Sequence, residues 1–337
     1  MKLKLFLSTA LLCVIAAGAS VADVVIHRKT TIDNLFGLGS TTTTETDYVK
    51  PDMIYTSNET DFNSKFSKIA PHAQQSKQAT IIRLDKGLMQ HLDLSTKTYR
   101  ETDLDMVKMM SDSSRAMMSQ MQQSMADSMA PGSMMPGDQD FVWTFDVTTD
   151  PKTTKVNGFT CKHVTAKATG VSKSDSTHKT IITSDEWLAQ DDPALDEMKT
   201  YQQNYARLVG IDPELEGRSW YASLPGYGPQ LSELSDKLKD VKGYPIKTAV
   251  VMETTTSSDA DSTDATSGTD QNAAMQQAMK KLSGMFGKKD DEDKGSSSGH
   301  PGFEKMFSFT SEILSAEKKD IPDSQFAVPS DFVQITD

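Results

Sequence analysis

Apolar and polar residues alternate with a period of two along most of this chain, the spacing that puts one side of an extended strand against a core. The alternation predicts strands at 23–29, 41–50 and 52–57, the second of them rich in threonine. A meander follows at 79–84, 88–94 and 98–102, with turns at Asp85-Lys86-Gly87 and Ser95-Thr96-Lys97. Further strands are expected at 141–148, 159–168, 179–188, 245–253 and 307–318. Two segments switch to helical spacing. In the first, Asp192 is the expected N-cap, Pro193 opens the first turn, Leu195, Met198, Tyr205, Leu208 and Val209 form the apolar stripe, and Gly210 stops it. The second starts at Gly228-Pro229, carries Leu231, Leu234, Leu238 and Val241, and stops at Gly243. The expected class is α+β: a curved antiparallel sheet with helices covering its concave face.

Two stretches break the pattern and read as insertions into a single domain spanning 23–337. Residues 104–140 hold ten of the 19 methionines, all between Met106 and Met135. Met110, Met117, Met121 and Met125 recur at helical spacing, with Met118 and Met129 widening the stripe, so 104–129 is expected to form one amphipathic helix. Residues 254–302 turn to Ser, Thr, Asp, Gly and Lys, too polar to bury themselves, and are expected to be largely disordered. Within them Met275, Met279, Leu282, Met285 and Phe286 form a shorter helical pattern.

The N-terminus changes the compartment. Lys2 and Lys4, an apolar run over 5–17 and the small residues Ser20-Val21-Ala22 form a cleavable export signal. The chain is expected in the periplasm or outside the cell, soluble after cleavage near Ala22. Leu12 precedes Cys13, and a lipoprotein peptidase wants a small residue there, so no lipid anchor is expected. Without Lys2 and Lys4 the balance is 33 basic against 47 acidic residues, a charge of −14. Such a surface repels phosphate backbones and anionic headgroups, which argues against nucleic acid as a partner. No later apolar run reaches the roughly 20 residues of a membrane span, so no stable insertion is expected. The exported chain keeps one cysteine, Cys161, so its stability rests on packing rather than on disulfides.

Several pieces occur in a familiar order: Ile81-Ile82-Arg83-Leu84-Asp85-Lys86-Gly87, the strand end at Tyr99, Val156-Asn157-Gly158-Phe159-Thr160-Cys161-Lys162, Glu186-Trp187, Lys242-Gly243-Tyr244-Pro245-Ile246-Lys247-Thr248, and Phe326-Ala327-Val328-Pro329-Ser330-Asp331-Phe332. Together they resemble an uncharacterised domain family of exported bacterial proteins in the LolA-like, lipoprotein-carrier-like group. The resemblance implies an incomplete barrel whose helices close an apolar cavity, used by characterised members of the group to shield acyl chains or lipids. Its motifs are turn and core features, and none is a site residue.

The candidate chemistry is that of a binding protein. No nucleophile elbow, phosphate-cradling glycine loop or zinc-protease motif occurs, so no catalytic residue and no cofactor is assigned and the chain is read as a non-enzyme. The methionine stripe at Met110, Met117, Met121 and Met125 suits an adaptable apolar lid, and its thioethers also suit Cu(I). Trp220, Tyr221 and Tyr227, set among Gly and Pro, form the second candidate surface. Cys161 and His163 share a strand face but lack further ligands, and the carboxylate runs at 191–192, 259–264 and 290–293 lack the calcium-loop spacing, so no metal site is assigned. The expected function is binding of an apolar or amphipathic ligand, a lipid or an acyl chain. The alternatives are Cu(I) binding by the Met-rich stretch and a stress-related interaction protein.

Overall fold

The computed structural model describes residues 23–33, 39–64, 75–113, 141–190, 192–210, 241–255 and 302–336, together with Leu234, Lys237, Leu238 and His300. Residues 1–22, most of the methionine stretch, residues 220–227 and nearly all of 254–302 lie outside these residues.

Twelve strands form one open sheet: β1 (Val24–Asp33), β2 (Gly39–Lys50), β3 (Met53–Ser64), β4 (Gln75–Arg83), β5 (Leu88–Asp93), β6 (Thr98–Asp103), β7 (Phe141–Val156), β8 (Phe159–Ser172), β9 (Lys179–Ala189), β10 (Tyr244–Thr255), β11 (Phe303–Lys318) and β12 (Val333–Gln334). Their order is β12-β6-β5-β4-β3-β2-β1-β11-β10-β9-β8-β7. The chain starts in the middle at β1 and meanders outward to β6. It then resumes at the opposite edge with β7 and meanders back, so that β11 closes antiparallel on β1. Only β12 pairs in parallel, with β6.

The strands are longer than the alternation predicts. β3 runs to Ser64, β7 to Val156 and β8 to Ser172, and β4 begins at Gln75. Their extra residues are mostly Thr, Asn, Asp, Lys and Ser, which hide the period of two because both faces are polar there. Main-chain pairing needs no apolar side chain, and β-branched threonine suits the pleated surface. The β7–β8 hairpin carries a clear local signal. Asn157 and Gly158 both take positive φ, 50° and 90°, as a two-residue primed turn requires. Asn157 Nδ2 also donates to the Ile313 carbonyl at 2.8 Å, tying the turn to β11.

Two helices are described. Residues 104–113 form α1, directly after β6. The second, α2 (Asp196–Val209), begins three residues after the expected Pro193. Asp192 is not its cap. Its carboxylate accepts the Ala194 N–H at 2.9 Å and its carbonyl accepts the Leu195 N–H at 3.0 Å, which makes a turn ahead of the helix. Gly210 ends α2 as expected, at φ 71°, its N–H donating to the Ala206 carbonyl. Met198, Tyr201, Ala206 and Val209 are buried, whereas Leu208, expected on the stripe, stands exposed. Leu234 and Leu238 are helical and fully buried.

Alternate strand residues point to opposite faces. On what we term the front face, Val24, Ile26, Val49 and Ile54 pack with Leu195, Met198 and Tyr201 at α2. On the back face, Val25, Ala79, Ile81 and Leu92 pack with Ile321 and Phe326 of the C-terminal tail. The tail was not anticipated as a structural element. It leaves β11 with the Lys319 N–H on the Asp23 carbonyl (2.8 Å) and the Ile321 N–H on the Asp23 carboxylate (3.0 Å). It then forms a 3-10 turn at Asp323–Phe326 and ends as β12 against Thr98 and Tyr99.

Candidate functional site

Strand register assigns residues to the front face across the whole sheet, because directly paired residues share a face. From β7 to β11 one stretch of that face is apolar: Trp143 pairs with Gly170, Phe145 with Ala168, Ala168 with Ile182, Ile182 with Met252, and Met252 with Phe307. These residues join Leu234 and Leu238 in one cluster. A Cβ on Gly170 would stand 2.9 Å from the Trp143 ring, so only glycine lets the indole lie flat over β8.

The same face turns polar toward β1 and, farther along the strands, on β9 to β11 as well, where the buried Glu186 pairs with Thr248. Ile32 closes the apolar region by pairing with Phe309. One row over, Thr248, Ser311, Thr30, Thr43 and Thr60 stand opposite one another on five adjacent strands. Thr30 Oγ1 donates to Ser311 Oγ at 3.2 Å, and the Thr43 and Thr60 hydroxyls are 3.0 Å apart. Next come Arg28, Glu45 and Asn58, then Ile26, Asp47, Thr56 and Thr80.

Arg28 Nη1 donates to Glu45 Oε1 at 2.7 Å, Arg28 Nη2 lies 3.7 Å from Asp47 Oδ2, and Thr56 Oγ1 donates to Asp47 Oδ1 at 2.7 Å. Tyr244, buried at the start of β10, stands beside this group, and its hydroxyl accepts from Gln202 Nε2 of α2 at 3.5 Å. Burial raises the Asp47 carboxyl above its ordinary value, although Arg28 and Thr56 pull it down. Glu45 is raised first by burial and then by the adjacent Asp47, against the pull of Arg28. Burial opposes the Arg28 charge, but Tyr244, Asp47 and Glu45 outweigh it and hold the guanidinium firmly protonated. The front face thus joins an apolar wall to a floor of hydroxyls and a compensated charge cluster.

The anticipated site residues fall as follows. Met110 lies on α1 with its side chain exposed. Met117, Met121, Met125, Trp220, Tyr221 and Tyr227 lie outside the described residues. Cys161 is fully buried, its thiol contacts the Phe159 carbonyl at 3.6 Å, and burial raises its pKa. Its strand neighbour His163 turns to Asp185 instead, with Nε2 to Oδ1 at 2.9 Å, and stacks on Trp187 at 4.6 Å between ring centroids. Thr165 donates to the same Asp185 oxygen at 2.6 Å, and the Lys247 ammonium lies 5.2 Å from the Trp187 ring centroid. Among the described residues no three His, Cys, Asp or Glu side chains converge on a metal position, and no helix is long and apolar enough to cross a membrane. No protein-family model matches the chain, and no curated protein matches its sequence.

The sequence reading passed over Arg28, Glu45, Asp47 and Tyr244. A signal for three of them was present. Val24, Ile26, Arg28, Thr30 and Ile32 share one parity, so Arg28 interrupts an inward-facing run, and Glu45 and Asp47 share the parity of the buried Val49. A charge at an inward strand position needs partners, and two such strands in sequence supply them to each other. A second missed pair is Glu253 with His300, at the two ends of the polar insertion. Glu253 is buried, and its carboxylate accepts the His300 N–H at 3.3 Å and contacts Nδ1 at 2.7 Å.

Proposed function

We propose that this chain is an exported, non-enzymatic binding protein for an amphipathic molecule such as a lipid or acyl chain. Its apolar part lies along the Trp143–Phe307–Phe309 side of the front face, and its polar end reaches the threonine rows beside Arg28, Glu45 and Asp47. The observation that carries this reading is the boundary on one continuous face between an apolar wall and a hydrogen-bonding floor. A purely apolar ligand would leave the threonine rows without use, and a purely polar one would leave the aromatic wall without use. The resemblance to the LolA-like group agrees with it: an incomplete barrel, with α2, the Leu234–Leu238 segment and the Met-rich stretch as covers over its concave side. The carrier works outside the cytoplasm after loss of residues 1–22, as a single domain with its two insertions at 104–140 and 254–302.

The test is to purify the exported chain from its own compartment, extract it with organic solvent and analyse the extract by mass spectrometry. An amphipathic lipid in near-stoichiometric amount is expected. A fluorescent fatty-acid probe should then bind the emptied protein, and Phe145→Asp should weaken that binding at least tenfold by placing a charge on the apolar wall. An extract without lipid, together with a protein that does not bind the probe, would overturn the reading.

A further inference from the structure

The helix α1 wears its methionines on the outside. It docks through Leu104, which is 2 % exposed and whose N–H donates to the Gly87 carbonyl at 2.8 Å. Val107 and Ser111 lie on the same side and are half-buried, and the Lys108 stem lies against the α2 terminus at Gly210. At about 100° per residue, Met106, Met109 and Met110 fall within an arc of about 100° diametrically opposite Leu104. They are 50 %, 61 % and 62 % exposed. Burial against the sheet therefore does not account for them.

We propose that Met106, Met109 and Met110 form a surface site for a single soft monovalent ion, Cu(I). Residues at i, i+3 and i+4 are neighbours on a helix surface, with Cβ atoms about 5–6 Å apart. Three unbranched, flexible side chains from such positions bring their sulfurs together in front of the helix as three neutral donors. Thioether sulfur selects Cu(I) over harder divalent ions, which take carboxylate, carbonyl or imidazole ligands. Neutral ligands leave the ion its positive charge. Asp105 lies beside one edge of the arc on α1, and the chain carries a formal net charge of −12, so the field of the whole chain favours a cation. The arc holds no leucine, isoleucine or aromatic residue, as an apolar docking face would; Ser113 is the one other described residue within it. The site involves binding alone, with no change in oxidation state. It lies on α1 beside the α2 terminus, and its test does not use the carrier reading.

The experiment titrates the purified chain with Cu(I) buffered by bathocuproine disulfonate, without oxygen. One equivalent should bind, and M106L/M109L/M110L should weaken it at least tenfold while leaving the thermal midpoint within about 2 °C, since leucine keeps the size and apolarity but lacks the sulfur. M117L/M121L/M125L should retain the ion. With Ag(I) as a stable surrogate and methyl-labelled methionine, three ε-methyl signals should shift together in the wild type and be absent from the first variant. The proposal is overturned if the wild type binds Cu(I) no more tightly than free methionine does. It is equally overturned if the first variant keeps the ion, or if the second variant loses it.

Discussion

The two halves of the front face are built on the same ladder and stabilised in opposite ways. Between β7 and β11 the face is held by apolar contact: Ile182, Met252, Phe307 and the alanines of β8 against Leu234 and Leu238. Between β1 and β6 much of it is held by cross-strand polar pairs, Thr30 with Ser311, Thr43 with Thr60, Arg28 with Glu45, and Thr56 with Asp47. Apolar burial is non-directional and tolerates exchange of similar shapes. A buried polar network depends on every partner being present, because a partly satisfied one costs more than an apolar core. The apolar half should therefore respond to lost volume and the polar half to lost partners and to pH.

The largest effect should come from the apolar half. Ile182→Ala opens a cavity at a fully buried position of β9 and should cost about 2–5 kcal/mol by urea unfolding, whereas Ile182→Val should cost about 0.5–1.5. Similar losses for the two variants would show that this half is not closely packed. Next is the charge cluster. Arg28→Met leaves Glu45 and Asp47 without their cation and should cost about 1–3 kcal/mol at pH 8, less than for a fully enclosed pair because Arg28 keeps 27 % of its side-chain surface. A triple variant that also carries Glu45→Gln and Asp47→Asn should recover much of that loss. If it does not, the three residues are not coupled.

The polar half also sets a pH dependence. Glu45 and Asp47 have folded pKa values raised above the unfolded ones, so the folded state holds protons that the unfolded state releases. Their contribution is fully present below the unfolded values near pH 4 and falls as pH rises through the raised folded values. Stability from this pair should therefore decline from about pH 4 upward and then level off, and Asp47→Asn should flatten the decline. Denaturant midpoints measured from pH 4 to pH 8 check this, and an unchanged slope in the variant would remove Asp47 from the account. Asp85 works in the other direction. Its hydrogen bond from Arg83 lowers its pKa, so its contribution is present above the unfolded value and is lost as pH falls through the folded one. The smallest expected effect lies outside both halves, at the β7–β8 turn. Gly158→Ala places a side chain at φ 90°, in open space, and should cost about 1 kcal/mol or somewhat more through backbone strain alone, visible as a shift in thermal midpoint without change in either face.

Sequence pattern located eleven of the twelve strands, because apolar alternation and turn chemistry are local properties of a few neighbouring residues. The exception, β12, has two residues, both exposed, and is a strand only because β6 offers an edge. Gly210 was readable as a stop since glycine alone reaches its φ without penalty. The start of α2 was misplaced because an Asp-Pro pair serves a turn as well as a cap, and the two differ only in the backbone that follows. Arg28, Glu45 and Asp47 were readable as charges of inward parity but not as one cluster, since nothing local says that β1 and β2 bring both carboxylates within 2.7–3.7 Å of the Arg28 guanidinium.

What the sequence determined by itself is the set of local choices: the strands, their turns, the α2 terminus, the acidic charge and the methionine-rich composition of 104–140. What only the tertiary structure decided is which surfaces meet. β1 lies between two meanders and next to β11, so residues nearly 300 positions apart share a row, and Thr30 faces Ser311. The same tertiary arrangement turns Leu104 inward and Met106, Met109 and Met110 outward on α1, although all four are apolar. Periodicity shows that side chains share a face, but whether that face meets the sheet or the solvent depends on the neighbours that the whole chain brings to it.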